Sequence, residues 1–73
     1  MANLSERLRY LKSERHLMQK EIAQSVQIPL RTYQRYENGE REPNASAIIA
    51  LANYFEVSTD YLLGITDNPN RNT

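Results

Sequence analysis

Apolar residues recur along this chain with the period of a helix, and no stretch alternates with the period of a strand pair. Leu4, Leu8 and Leu11 fall at i, i+4 and i+7 and predict a first helix over residues 4–15, with Asn3 as its N-cap and Glu6 as the reciprocal carboxylate. The run His16-Leu17-Met18 interrupts that stripe. A second, shorter helix over residues 19–25 follows, with Ile22, Ala23 and Val26 facing inward. Met18 stands at its N-cap position and cannot accept the bond that Ser or Thr would, a loss of about 1 kcal/mol. Pro29, with φ fixed for a first helical turn, opens a third helix that runs to Glu37 or Asn38, and Gly39 supplies the left-handed residue that closes it. After a polar connector over residues 40–43, Asn44 caps a fourth helix with the stripe Ile48, Leu51, Ala52 and Phe55. Ser58 and Thr59 start a fifth, Tyr61-Leu62-Leu63, which Gly64 ends. The expected architecture is all-α, a compact five-helix bundle over residues 1–65, followed by a polar tail over 66–73 that is expected to be disordered.

Function enters at the junction of the second and third helices. Only three or four residues join them, so they must cross steeply, and the close approach needs a small residue, which Ala23 provides. Ile22, Val26, Ile28 and Tyr33 fill the wedge between them. The third helix is left with a bare face carrying Leu30, Arg31, Gln34 and Arg35, in which Leu30 with Gln34 and Arg31 with Arg35 are i, i+4 neighbours. This is a helix-turn-helix pattern, whose second helix lies in a DNA major groove. Arginine offers a fork of donors to guanine O6 and N7, glutamine bridges adenine N6 and N7, and an apolar side chain covers a thymine methyl. Gln19, at the start of the second helix, stands where free amide groups and the helix dipole favour a phosphate, and Lys20 beside it is a surface charge assigned to a phosphate, its bland reading a solvated cation. Asn38 and Arg41, just past the third helix, are expected to contact phosphates further along the backbone, together with the Tyr36 hydroxyl. The bland readings are a solvated face for the arginines and core packing for Tyr33, with Tyr36 at the core margin.

Three blocks in order, Leu17-Met18-Gln19-Lys20-Glu21-Ile22-Ala23, then Tyr36-Glu37-Asn38-Gly39 followed by Pro43, then residues 57–64, resemble the Xre/Cro-type helix-turn-helix repressors, which include the lambda and 434 phage repressors. The resemblance spans residues 4–65. It implies that Gln19 binds a phosphate and braces the recognition helix, that Leu30, Arg31 and Arg35 are the base-reading positions with Gln34 flanking them, and that Lys12 and Glu37 form a structural ion pair. It also implies a homodimer on double-stranded DNA with a two-fold symmetric operator, its half-sites about one helical turn apart. Three positions depart from the family pattern. Leu30 replaces a glutamine, Lys12 replaces an arginine and so offers a point charge in place of a planar fork, and Gln27 stands at a turn position that is often glycine. A left-handed Gln27 would cost roughly 1 to 2 kcal/mol.

Composition narrows the partners. Residues 1–36 carry seven basic against three acidic residues, a surplus of four, and residues 37–73 carry two against six, a deficit of four. A chain of 73 residues with zero net charge is therefore polarised by half, with its basic part on the helices that would meet DNA. Neutrality excludes a general polycation and leaves base contacts a larger share of affinity. The absence of cysteine excludes disulfides and thiolate metal sites, and the single His16 builds no zinc site; no metal, cofactor or small-molecule effector is expected. The longest apolar run, residues 47–52, is far short of the ~20 residues of a membrane span, and no secretory signal opens the chain, so a cytoplasmic protein is expected. No nucleophile stands beside a base and no carboxylates pair, so an enzyme is not expected. Ile65 is expected at a dimer seam and Leu62 in the core. The acidic second half motivates a competing reading, an antitoxin or anti-repressor that uses the same fold on a protein partner.

Overall fold

The computed structural model describes residues 3–70, and its five helices are α1 (Leu4–Glu14), α2 (Gln19–Ser25), α3 (Leu30–Asn38), α4 (Ala45–Phe55) and α5 (Thr59–Leu62). Three of them begin on a side-chain cap. Asn3 Oδ1 accepts from the Glu6 amide at 3.0 Å, Asn44 Oδ1 from the Ala47 amide at 2.9 Å, and Ser58 Oγ from the Tyr61 amide at 3.0 Å. At α2 only the carboxylate half of a capping box forms, the Met18 amide donating to Glu21 Oε1 at 3.0 Å. That bond replaces part of what the thioether cannot supply.

All five helices stop in the same way. A residue of positive φ follows each one: His16 (55°), Gln27 (58°), Gly39 (73°), Glu56 (58°) and Gly64 (81°). The amide after each turns back to the helix, Leu17 to the Lys12 carbonyl, Ile28 to Ala23, Glu40 to Arg35, Val57 to Ala52 and Ile65 to Asp60, all at 2.9 or 3.0 Å. These are Schellman closures, which satisfy the terminal carbonyls and press the next residue against the helix. Leu17, Ile28 and Val57 use that position to enter the core or its margin. Ile65 occupies the equivalent place after α5 and stays 66% exposed. The left-handed Gln27 carries the cost set out above, and His16 and Glu56 carry it as well.

The core is one cluster. Leu8, Ile22, Tyr33, Leu51, Phe55 and Leu62 are wholly buried at its centre, so every helix contributes at least one residue to it. Burial of this kind is the main stabilising term for so small a domain. Ala23 is 2% exposed, consistent with a close approach of α2 and α3.

Residues 66–70, the described part of the expected tail, are tied to the body. Arg7 Nη2 donates to Asp67 Oδ1 at 2.7 Å and to the Thr66 carbonyl at 3.3 Å, and the Ser58 amide donates to the Pro69 carbonyl at 3.1 Å. Arg7 itself is buried on α1 with its guanidinium 4.0 Å from the centre of the Tyr61 ring. Burial opposes its charge, yet the bonds to Asp67 and Tyr61 outweigh burial and hold the guanidinium above its ordinary pKa. The rest of the expected tail, residues 71–73, lies outside the described residues, as do residues 1 and 2.

Candidate nucleic-acid interface

α3 has two unlike faces. Tyr33, Tyr36 and Glu37 are buried, while Leu30 and Arg31 are exposed and Gln34 and Arg35 half-buried. Seating the inner face fixes the outer one, because one helix cannot turn while three of its side chains are packed. Tyr33 is wholly buried, and desolvation followed by the nearby Glu37 carboxylate raises its hydroxyl pKa. Neither the Tyr33 hydroxyl nor Glu37 Oε2 has a hydrogen-bond partner among the described residues.

Glu37 Oε1 is the most heavily used acceptor of this region. Lys12 Nζ from α1 donates to it at 2.9 Å and Gln19 Nε2 from α2 at 3.0 Å, so a single carboxylate oxygen ties α3 to both neighbours. With Glu37 only 2% exposed, this pair is shielded from water far more than a surface ion pair would be. Gln19 passes the contact on, its Oε1 accepting from Gln34 Nε2 at 3.1 Å. Lys12, Gln19, Gln34 and Glu37 thus form one connected chain across three helices.

The remaining cations are differently placed. Lys20, Arg31, Arg35 and Arg41 form no ion pair with any described residue, although Arg35 sits in the last turn of α3, where the helix dipole favours a cation. Lys20, Arg31 and Arg41 are exposed. Asn38 is also exposed, its Nδ2 donating to Glu40 Oε1 at 3.3 Å. Tyr36 is 6% exposed, so little of it other than its edge can meet a ligand; it lines a surface pocket with Ser5, Gly39, Arg41 and Pro43. Ile65 lies after α5, outside the α2–α3 unit. No group of three or more His, Asp or Glu among the described residues could hold a metal ion, and no helix among them is long and apolar enough to cross a membrane.

Sequence reasoning missed two features of this site. Spacing places Gln34 on the reading face and leaves its bond to Gln19 unseen, because that bond depends on the crossing of α2 and α3 and not on spacing along either. The charge count over residues 1–36 likewise does not set Arg7 apart from the other basic residues of the first helix. The signal that separates Arg7 from Arg9 is its position beside Leu8 and one turn before Leu11, on the edge of the buried stripe.

Residues 8–62 match the family described as Helix-turn-helix. The HTH-type transcriptional regulator YobD of Bacillus subtilis, itself uncharacterized, is 34% identical over 64 residues, which cover 88% of this chain and 57% of that one. ImmR, another HTH-type transcriptional regulator of Bacillus subtilis, is 36% identical over 62 residues, covering 85% and 49%. The chain thus spans about half the length of these curated relatives. Among solved structures, a transcriptional regulator from Listeria innocua superposes with a TM-score of 0.80 at 37% identity, covering 85% of this chain and 58% of that one. The P22 c2 repressor, crystallised in complex with synthetic operator 9T, superposes with a TM-score of 0.80 at 27% identity, covering 86% and 96%.

Proposed function

The chain belongs to the helix-turn-helix family, and from that premise we propose that it is a sequence-specific DNA-binding transcriptional regulator, a repressor that lays α3 in the major groove of double-stranded DNA. The observation that carries this reading is the division of α3: an inner face fixed by Tyr33 and Glu37, and an outer face whose Arg31 and Arg35 are unpaired. Unpaired cations on a preorganised face give up no internal ion pair when they meet a phosphate or a guanine edge. The likeness to a repressor crystallised with a synthetic operator supports the same reading.

In this reading Leu30, Arg31, Gln34 and Arg35 meet base edges, while Gln19, Lys20, Asn38 and Arg41, with the edge of Tyr36, meet the backbone. Two protomers occupy a two-fold symmetric operator about one helical turn between half-sites. Ile65 is the residue we assign to the dimer seam, since it is an apolar side chain held rigidly by the closure of α5 and left two-thirds exposed. In this reading the protein acts on its operator in the cytoplasm.

Selection of bound duplexes from a random library tests the proposal. A two-fold symmetric consensus is expected, and Arg31→Ala/Arg35→Ala should bind it at least tenfold more weakly than wild type, in line with 1 to 3 kcal/mol per good bidentate contact. Equal binding by that variant would sink the assignment of α3. Sedimentation of Ile65→Lys should show monomer under conditions where wild type dimerises on the operator.

A further inference from the structure

The four-residue chain through Glu37 has a direction. A carboxylate paired with lysine can only accept hydrogen bonds, so Gln19 must turn its amide nitrogen toward Glu37 Oε1, at 3.0 Å, and its carbonyl toward α3. That carbonyl also only accepts. Gln34 must therefore turn its own nitrogen inward, at 3.1 Å from Gln19 Oε1, and its carbonyl has no hydrogen-bond partner among the described residues. The orientation of each amide follows from its neighbour's chemistry alone.

We propose that Glu37, acting through Gln19, is a positioning residue that fixes the amide of Gln34 so that its carbonyl oxygen and remaining amide hydrogen face the major groove, making Gln34 a reader of bases that carry an exocyclic amino group, adenine foremost. This deepens the DNA-binding reading and rests on it. The base chemistry follows from the donor and acceptor pattern in the groove. Adenine offers an N6 donor and an N7 acceptor, matching the free carbonyl and the free N–H together; cytosine offers the N4 donor alone. Guanine and thymine present acceptors against the carbonyl. A glutamine free to rotate still fits adenine best, but it can also turn its amide over and donate to guanine O6 or N7, which narrows its discrimination. Gln34 cannot do so without breaking its bond to Gln19, and Gln19 cannot follow without facing Glu37 carbonyl to carboxylate. The polarity of a half-buried contact on the reading face is thus set by a charge buried in the interior.

The experiment compares base preferences, which a purely structural or backbone-binding role would not move. Libraries of duplexes are selected with wild type, Gln34→Ala, Gln19→Ala, Glu37→Gln and Arg35→Ala, each variant checked for a cooperative melt. In wild type one position per half-site should favour adenine over guanine by about tenfold, the worth of one good bidentate contact. Gln34→Ala should erase the preference at that position only. Gln19→Ala and Glu37→Gln should narrow it several-fold while the position lost in Arg35→Ala keeps its preference; Glu37→Gln places there an amide that both donates and accepts, so no polarity is imposed. Should one of the two fail to melt cooperatively, the other carries the comparison. A Gln34-dependent position that keeps the wild-type ratio of adenine to guanine in both variants would overturn the proposal, as would a wild-type consensus in which no position depends on Gln34. A library from which wild type enriches nothing would overturn this proposal together with the DNA-binding reading.

Discussion

Removing Lys12 should cost more stability than removing the charge of Glu37, although the two are partners in one ion pair. Glu37 is 2% exposed and Lys12 26%, so the carboxylate depends on the protein for its solvation while the ammonium still reaches water. Lys12→Met keeps the aliphatic stem and strands the carboxylate on the single bond from Gln19. Breaking a fully buried pair costs about 3 to 5 kcal/mol, and the partial access of water on the Lys12 side brings this to about 2 to 3 kcal/mol. Glu37→Gln keeps the shape and an acceptor for Lys12, and leaves a cation that is partly hydrated, at a cost of about 1 kcal/mol. The double variant should cost less than the sum, with a coupling of about 1 to 2 kcal/mol, since neither single loss then leaves an unpaired charge. Urea titration followed by circular dichroism at neutral pH gives all four corners of the cycle, with unchanged slopes as the test that only stability has moved. Equal single costs that add in the double variant would refute the reasoning. They would mean that Glu37 is solvated in solution and that the pair behaves as a surface contact of about 0 to 1 kcal/mol.

Arg7→Ala should lose about 2 kcal/mol, from the guanidinium lying 4.0 Å over Tyr61 and from the packing of its stem; Asp67→Ala, which removes a fully exposed partner, should lose far less, and equal losses would show that the ion pair and not the ring contact holds the arginine. Replacing the left-handed residues by glycine, as Gln27→Gly and Glu56→Gly, should raise stability by about 0.5 to 1 kcal/mol each, the relief of the left-handed cost less the added entropy of an unfolded glycine, and a lower melting temperature in either would contradict the positive φ. Burial raises the pKa of Tyr33, so the folded chain keeps the hydroxyl protonated where the unfolded chain has lost it. Its contribution is whole below about pH 10 and falls above that by up to about 1.4 kcal/mol per pH unit. Tyr33→Phe should therefore show a shallower alkaline loss of stability than wild type in thermal melts between about pH 9 and 11, and parallel curves would place the hydroxyl in water.

The helices were legible because their determinants are local. Asn3, Asn44 and Ser58 act as caps within three residues of the amides they satisfy, and α2 carries Ile22 and Ala23 into the core with Val26 as its C-cap. Helix ends at Gly39 and Gly64 were equally visible. Those at His16, Gln27 and Glu56 were harder, since no glycine announces them, although an apolar residue follows each and is drawn back onto its helix by the closure. What spacing did not disclose is long-range: the clasp between Arg7 and Asp67 joins residues 60 positions apart, and the bond between Gln19 and Gln34 joins residues 15 apart. The period of a helix marks its apolar face, whereas the polar residues that meet when two faces cross are set by the crossing itself.

That limit bears on the charge count, and it sets the salt dependence of binding. Lys12 and Glu37 neutralise each other, as do Arg7 and Asp67, so each half of the chain loses two charges and the polarisation of four falls to two. Cations in internal pairs release no counterions on binding. Of the cations proposed to face DNA, Lys20, Arg31, Arg35 and Arg41 are unpaired, which gives at most eight phosphate contacts in a dimer. The slope of log K against log salt should then lie between about −4 and −7, the shallower value applying if half of these residues go to bases. Arg41→Ala should flatten the slope by about 0.9 for each protomer in contact, and Arg7→Met should leave it unchanged while lowering the melting temperature. Filter binding from about 50 to 200 mM salt reads both. A slope that flattens in Arg7→Met would mean that the clasp opens on DNA and that Arg7 belongs to the interface, whereas a slope steeper than eight contacts allow would mean that further exposed cations, Arg9 or Arg15, reach the backbone.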